Sequence, residues 1–329
     1  MSQPSFVSEK ALLDVTKVPF VFNKSQSVQS QGNTMGFILQ LLARKDNPDK
    51  TWQIIHTCLS HTGIAKDSYF FPLARRLSDK IDSHAEVEYE GRKLSFSGKM
   101  NYYHNYRHMQ EVILNSMLLI SINDAYGDVT LSPEEKAFLL FASLIHDLGH
   151  DGTANMKDGE NIPYRLEKIS VELASPDIQE VLGDKTAAFI TDLRAVIYAT
   201  DIAPASPILK DILAYHRGRT SKKPQFTPND EVFRPLKENP NLAEVAAMLC
   251  DADIAFSIAY NFACTWEASI NLSKELTGSD ALALNNLNAF YDQMAEIKSL
   301  AGEKLRPNFD VVKDSSKKML NIQNLGSSL

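Results

Sequence analysis

The chain has 329 residues, 44% of them apolar and 23% charged, with a formal net charge of −7. This is a core-forming globular composition, and its acidic balance argues against a nucleic-acid-backbone binder, which asks for a basic surplus. Cys58, Cys250 and Cys264 are too few and too widely spaced for a disulfide framework or a zinc ribbon.

The opening stretch MSQPSFVSEKALLDVTK has no basic region leading into an apolar run, so no signal peptide is expected. No segment approaches the roughly 20 apolar residues of a membrane span. A reducing, cytoplasmic setting with no membrane partner is the expectation. In chain order, apolar residues at helical spacing predict a helix over 34–45 (TMGFILQLLARK). Residues 85–98, AEVEYEGRKLSFSG, alternate around Glu90-Gly91 and predict a small hairpin. Helices follow over 107–124 and 132–149. The second opens on Ser132-Pro133-Glu134-Glu135, a cap, a first-turn proline and two acids facing the helix start. Further helical runs cover 185–200, 241–272 and 283–305. Residues 217–241 hold four prolines and read as a long loop. The whole reads as one all-α domain with a β insertion: an N-terminal helical part (1–84), a core (85–305) and a partly flexible tail (306–329).

The chemistry concentrates in LLFASLIHDLGHDGTANM (139–156), where an apolar run ends in two histidines and two aspartates. His146 and His150 are four apart, the spacing of one helical face. Burying such groups without a metal would cost several kcal/mol in unpaired polarity, on the order of the cost of an unbonded buried amide or hydroxyl. His104 and His108, in NYYHNYRHMQEV, repeat the spacing; alone they would read as a polar helix start. Asp251 and Asp253 interrupt the apolar helix AAMLCDADIAFS. A carboxylate there needs a partner. Asp253 is assigned the metal role and Asp251 the helix surface, because only one can share the face of the apolar neighbours.

The order His104-x3-His108, His146-Asp147, Asp253 resembles the ligand set of the HD-domain metal-dependent phosphohydrolases. More narrowly, HDLGHDGTAN resembles the signature of the class I cyclic-nucleotide phosphodiesterases. YHNYRH, AMLCDADI and YATDI (198–202) are similar to further elements of that family, over roughly residues 95–300. The resemblance implies a multi-helix bundle of that type and two divalent cations. His108, His146, Asp147 and Asp253 would ligate the first ion, and Asp147 would bridge to the second. His150, Glu167 and Thr200 would orient the second ion's waters, and His104 would be the general acid. Hydrolysis would proceed by attack of a metal-bridging hydroxide on a phosphodiester, a 3',5'-cyclic nucleotide first of all. Mixed nitrogen and oxygen donors suit zinc or iron in the first site. An oxygen-only, water-rich second site suits magnesium or manganese.

The resemblance breaks at the base pocket. The family's purine-reading glutamine and stacking phenylalanine align with Leu287 and Phe290, or else with Gln293 and Glu296; the first alignment is preferred. Tyr103, Phe290 and Gln293 are the candidate substrate contacts. Lys168 and Ile169 follow Glu167 where the family carries a histidine pair, and Asp151 stands where it carries a proline. The expected partner is a small phosphodiester or nucleotide, with room for a homodimer. Two other readings stay open: an HD-superfamily phosphohydrolase acting on another nucleotide, and a metal-binding sensor or interaction module without turnover.

Overall fold

The computed structural model describes residues 50–326 apart from Asp128, Asp158, Gly159 and Ala259, together with Phe20, Ser27, Ser30, Gln31 and Thr34. The helix expected over 34–45 lies outside the described residues except for Thr34. Helices α1 (Thr51–His61) and α2 (Phe70–Asp82) pack on one another, and a hairpin of β1 (Glu86–Tyr89) and β2 (Arg92–Ser95) follows. Its register pairs Tyr89 with Arg92. Glu90 and Gly91 both take positive φ, 48° and 76°, the two-residue turn that the strands' twist favours.

Next come α3 (Tyr106–Tyr126) and α4 (Pro133–Ile145). The cap read from sequence forms on α4: Ser132 accepts from the Glu135 backbone N–H, and the Glu135 carboxylate accepts from the Ser132 N–H. A second, very short hairpin, β3 (Met156–Lys157) and β4 (Glu160–Asn161), leads into α5 (Arg165–Leu182), α6 (Thr186–Tyr198) and α7 (Ile202–His216).

The proline-rich stretch 217–241 is only half loop. A 3-10 segment (Pro228–Phe233) and α8 (Arg234–Glu238) occupy its second part, and Phe233 and Leu236 are fully buried there. Pro228 and Pro235 stand in first turns, where a missing N–H costs nothing, so the prolines start helices instead of excluding them.

Helix α9 (Pro240–Ile258) is the axis of the bundle, in contact with α3, α4, α6, α7 and α10. It is buried on nearly every side, as a helix apolar all round must be. The run 241–272 is two helices, not one. Asn261 accepts from the Cys264 N–H and starts α10 (Phe262–Thr277). The run 283–305 also breaks, into α11 (Ala283–Gln293) and α12 (Leu300–Glu303), with Ser299 capping the latter. Residues 306–326, read as a tail, form α13 (Arg306–Gly326); Phe309 and Val312 on its inner side are buried, which holds its first half. Helices α1 and α2 fall in the part expected to be helical, 1–84, without bounds of their own, and α5 and α7 carry no sequence expectation above. Among the described residues no helix is long and apolar enough to cross a membrane.

Candidate metal and catalytic site

Neither histidine pair shares a helical face. Asn105 caps α3 by accepting from the Arg107 N–H, so His108 sits in the first turn while His104 precedes the helix. Helix α4 ends at Ile145, and His146 to Gly149 form a turn. Gly149 (φ 73°) and Gly152 (φ 76°) take the left-handed region, where a side chain is strained. A Cβ on Gly149 would also lie 2.4 Å from Leu173 Cδ1. The turn therefore splays the two histidines: His146 faces His108, and His150 faces His104. Asn101 ties the strands of chain together, donating to the carbonyls of His104 (2.8 Å) and His150 (2.9 Å).

His108, His146, Asp147 and Asp253 converge. His108 Nε2 lies 2.9 Å from Asp253 Oδ1 and 3.4 Å from Asp147 Oδ2. His146 Nε2 lies 3.3 Å from Asp147 Oδ2 and 3.6 Å from Asp253 Oδ1. His146 Nδ1 donates to the Ser143 carbonyl at 2.9 Å, which leaves its Nε2 facing the cluster as a ligand nitrogen would. Burial disfavours charge on His108, yet the Asp253 and Glu111 carboxylates outweigh it and push its pKa up to about 9. Burial also opposes ionisation of Asp147, and the charge of His146 reverses this and holds the carboxyl well below its ordinary value. Asp147 Oδ2 is buried with no hydrogen-bond partner. A buried carboxylate oxygen that accepts no hydrogen bond and faces two imidazole nitrogens at 3.3 and 3.4 Å is a place that a cation would satisfy. The donor set, two nitrogens and two carboxylates, fits a divalent ion of the zinc or iron kind.

The cluster is continued by a second one. His104 Nδ1 donates to Glu275 Oε1 at 2.5 Å, and Glu275 Oε2 accepts from the backbone N–H groups of Tyr103 (2.6 Å) and His104 (3.1 Å). Burial acts to raise the Glu275 carboxyl, and the His104 hydrogen bond overrides it and lowers it. His150 stacks on His104 with ring centroids 3.9 Å apart. Burial, and then the neighbouring His104, bring the His150 pKa down to about 3. Glu275, late on α10, gave no sequence signal; it is one of two acids, with Glu267, on an amphipathic helix.

Glu167, in the first turn of α5, is pushed up to about 8 by burial and by the Asp201 carboxylate. Asn155 bridges these two acids, donating to Glu167 Oε2 (3.1 Å) and Asp201 Oδ2 (2.8 Å). Thr200 is buried, and its hydroxyl donates to the Ile197 carbonyl. Asp251 is not on the surface. It is 5% exposed and accepts from the Lys298 and Ser299 N–H groups and the Ser299 hydroxyl. One turn and more earlier, Glu244 accepts from the Leu300 N–H and pairs with Arg217 at 2.6 Å. Asp151 is likewise engaged away from the metal cluster: Arg165 meets both its oxygens (2.8 and 3.1 Å) and Arg92 of β2 reaches it at 3.3 Å.

A cavity of about 470 Å³ opens beside these clusters, with Tyr103, His104 and Asp253 at one end and Leu287, Phe290 and Gln293 among its walls. All three candidate substrate contacts therefore meet there. Glu296, the phenylalanine position of the second alignment, pairs instead with Lys210 at 2.8 Å.

Residues 103–160 match the family model of the 3'5'-cyclic nucleotide phosphodiesterases. Among solved structures, the chain resembles the phosphodiesterase domain of the RhoPDE fusion protein from the choanoflagellate Salpingoeca rosetta, at 16% identity and a TM-score of 0.54, over 96% of this chain and 95% of that one. It also resembles LmjPDEB1 in complex with IBMX, at 14% identity and a TM-score of 0.58, over 96% and 98% of the two chains. A second structure of the Salpingoeca rosetta rhodopsin phosphodiesterase domain gives 15% identity, a TM-score of 0.57 and 98% coverage of both. No curated protein sequence matches. The fold is the one these phosphodiesterase domains share, carried by a divergent sequence.

Proposed function

We propose that the chain hydrolyses a phosphodiester, a 3',5'-cyclic nucleotide first of all, with two divalent cations. The observation that carries this reading is the orphaned Asp147 Oδ2 between His108 and His146, one residue cluster away from the His104–Glu275 pair. His108, His146, Asp147 and Asp253 would hold zinc or iron, with magnesium or manganese alongside. When bound, such ions draw the pKa of water from about 15.7 toward neutrality and offset phosphate charge. His104 stands at the cavity end, with Nδ1 committed to Glu275, so its Nε2 is the atom that can deliver a proton to the leaving alkoxide. Glu275 fixes that ring, as a carboxylate behind a histidine does in other acid–base pairs. His150, Glu167 and Thr200 are assigned to the waters of the second ion. Phe290 is assigned to stack on the base, and Tyr103 and Gln293 border the same cavity.

The test is hydrolysis of a panel of cyclic and linear nucleotides with manganese added, metal content being measured on the same sample. Turnover of cyclic nucleotides that tracks metal content supports the reading. Turnover restricted to other nucleotides would favour the wider HD phosphohydrolase activity, and metal binding without any turnover would favour a sensor.

A further inference from the structure

Among the described residues the His104 ring makes one hydrogen bond, from Nδ1 to Glu275. A ring held at one atom can still swing about that bond and carry Nε2 with it. Tyr103 and His108 meet the ring at steep angles, 82° and 89°. His150 lies flat on it, with centroids 3.9 Å apart and planes within 16° of each other. The plane of His104 is therefore set by where His150 stands.

His150 opens a stretch with little stiffness of its own. Residues 150–155 form neither helix nor strand, and Gly152 in their middle takes φ 76°. Glycine has more backbone freedom to lose than any other residue, so order here has to be imposed from outside. The Gly152 N–H donates to His150 Nδ1 at 3.1 Å and thereby orients the ring.

Asp151 and Thr153 flank that glycine, and one side chain grips both. Arg165, the first residue of α5, donates from Nη1 to Asp151 Oδ2 at 2.8 Å and from Nη2 to Asp151 Oδ1 at 3.1 Å. The same Nη2 reaches Thr153 Oγ1 at 2.7 Å and the Ala154 carbonyl at 3.0 Å. Asp151 closes the turn from within by accepting from the Thr153 N–H (3.2 Å) and hydroxyl (2.6 Å). The Arg165 side chain is 9% exposed, so water competes little for these bonds.

From this geometry we infer that Arg165 is a positioning residue for His104. It fixes Asp151 and Thr153, and with them the Gly152 N–H, the His150 ring and the plane of the His104 ring. What that plane serves, delivery of a proton, rests on the phosphodiesterase reading above.

Arg165→Lys tests the inference. Lysine keeps the charge beside Asp151, but one ammonium cannot present the rigid planar fork that meets two carboxylate oxygens, a hydroxyl and a carbonyl together. The first readout needs no substrate. In protein labelled with ¹³C at histidine Cε1, stacked rings displace one another's signals, and His150→Asn identifies the pair. Both signals should move toward the position of an unstacked histidine in Arg165→Lys, while the remaining histidine signals show that the chain is folded. The second readout is kinetic. For a cyclic nucleotide kcat should fall about 10- to 100-fold, the order expected when a reacting group is displaced by about 1 Å, with KM within about threefold. Bis(4-nitrophenyl) phosphate, whose leaving group needs no proton, should slow by no more than about threefold. Asp151→Asn breaks the same grip from the other side, so the double variant should be no slower than the slower single one.

Unmoved His104 and His150 signals in folded Arg165→Lys would overturn the inference. Moved signals at an unchanged kcat, equal losses on both substrates, or additive losses in the double variant would overturn it as well. Should Arg165→Lys fail to fold, Thr153→Val loosens the grip at an exposed residue: displaced signals then support the inference and unmoved ones refute it. If the unaltered protein turns over no phosphodiester with manganese, the proposed function fails, and the spectra alone decide whether Arg165 holds the ring pair.

Discussion

Replacing Glu275 by glutamine changes one charge and almost no volume. The carboxylate accepts three hydrogen bonds, one from His104 Nδ1 and two from the backbone of Tyr103 and His104, and its side chain is 3% exposed. The amide oxygen of glutamine can keep the backbone bonds, while the charge-assisted bond to the ring is weakened or lost. Hydrogen bonds to charged groups contribute about 1.5–3 kcal/mol. If that stabilisation acts on the protonated ring delivering its proton, the rate should fall roughly 10- to 150-fold. The full worth of a general acid, about 10²–10⁴-fold, sets the ceiling and is the expectation for His104→Asn. The assay compares a nucleotide, whose alkoxide must be protonated to leave, with a nitrophenyl diester, whose phenolate need not be. Glu275→Gln should slow the first and leave the second within a few-fold, at unchanged metal content. Equal losses on both substrates, or a loss of metal, would refute the assignment of Glu275 to the His104 ring.

Asp253→Ala and His146→Ala should each abolish activity and lower metal content together, read by elemental analysis of the purified protein; full occupancy at full rate in Asp253→Ala would exclude it as a ligand. Arg165→Met should destabilise by about 1–3 kcal/mol in denaturant titrations, because Asp151, 11% exposed at its side chain, loses its main partner and keeps only Arg92 and Thr153. The same pair carries a pH dependence. Burial acts to raise the Asp151 carboxyl, but the Arg165 hydrogen bonds prevail and hold it below its ordinary 3.8. A depressed native pKa stabilises above the unfolded value and is lost as pH falls below it. Asp151→Asn should therefore flatten the acid limb of the stability curve below about pH 4, and leave its slope above pH 5 unchanged. Gly302→Ala should cost about 1–3 kcal/mol by calorimetry, as overpacking does. Its Cβ would fall 2.2 Å from Asp251 Oδ2 and 2.9 Å from Ser299 Oγ, with no strain in φ to share the blame.

The candidate cluster was partly legible because His146, Asp147 and Asp253 stand in or at the end of apolar runs that have no other use for them, while His108 was picked out by its pairing with His104 and by the resemblance. Their spacing misled, however. His146 and His150 at i, i+4 suggested one helical face, and the two left-handed glycines that follow, Gly149 and Gly152, turn them to different partners. Asp251 and Asp253 could be told apart in role, but not by exposure. Both are inside, and what separates them is which neighbour each meets, His108 or Ser299, contacts 145 and 48 residues away. Glu275 and Asn101 were illegible for the same reason: ordinary polar residues gain meaning only from distant backbone groups. Helices α5 and α7 escaped notice while the near-isotropic α9 was found, since long apolar runs are easy to see and a mixed amphipathic face is less so. The loop expected over 217–241 holds only up to residue 227, and failed beyond it through reading proline as a breaker where it stood in a first turn.

The bonds from Glu244 and Asp251 to residues 298–300 bear on where the chain can be cut back. Both acids sit on α9, the helix that delivers Asp253, and both are answered by backbone N–H groups of Lys298, Ser299 and Leu300. Residues 321–325 are exposed. Shortening through residues 298–300 strips the buried Asp251 of its partners and leaves Glu244 with Arg217 alone, so a minimal folded fragment has to keep that segment.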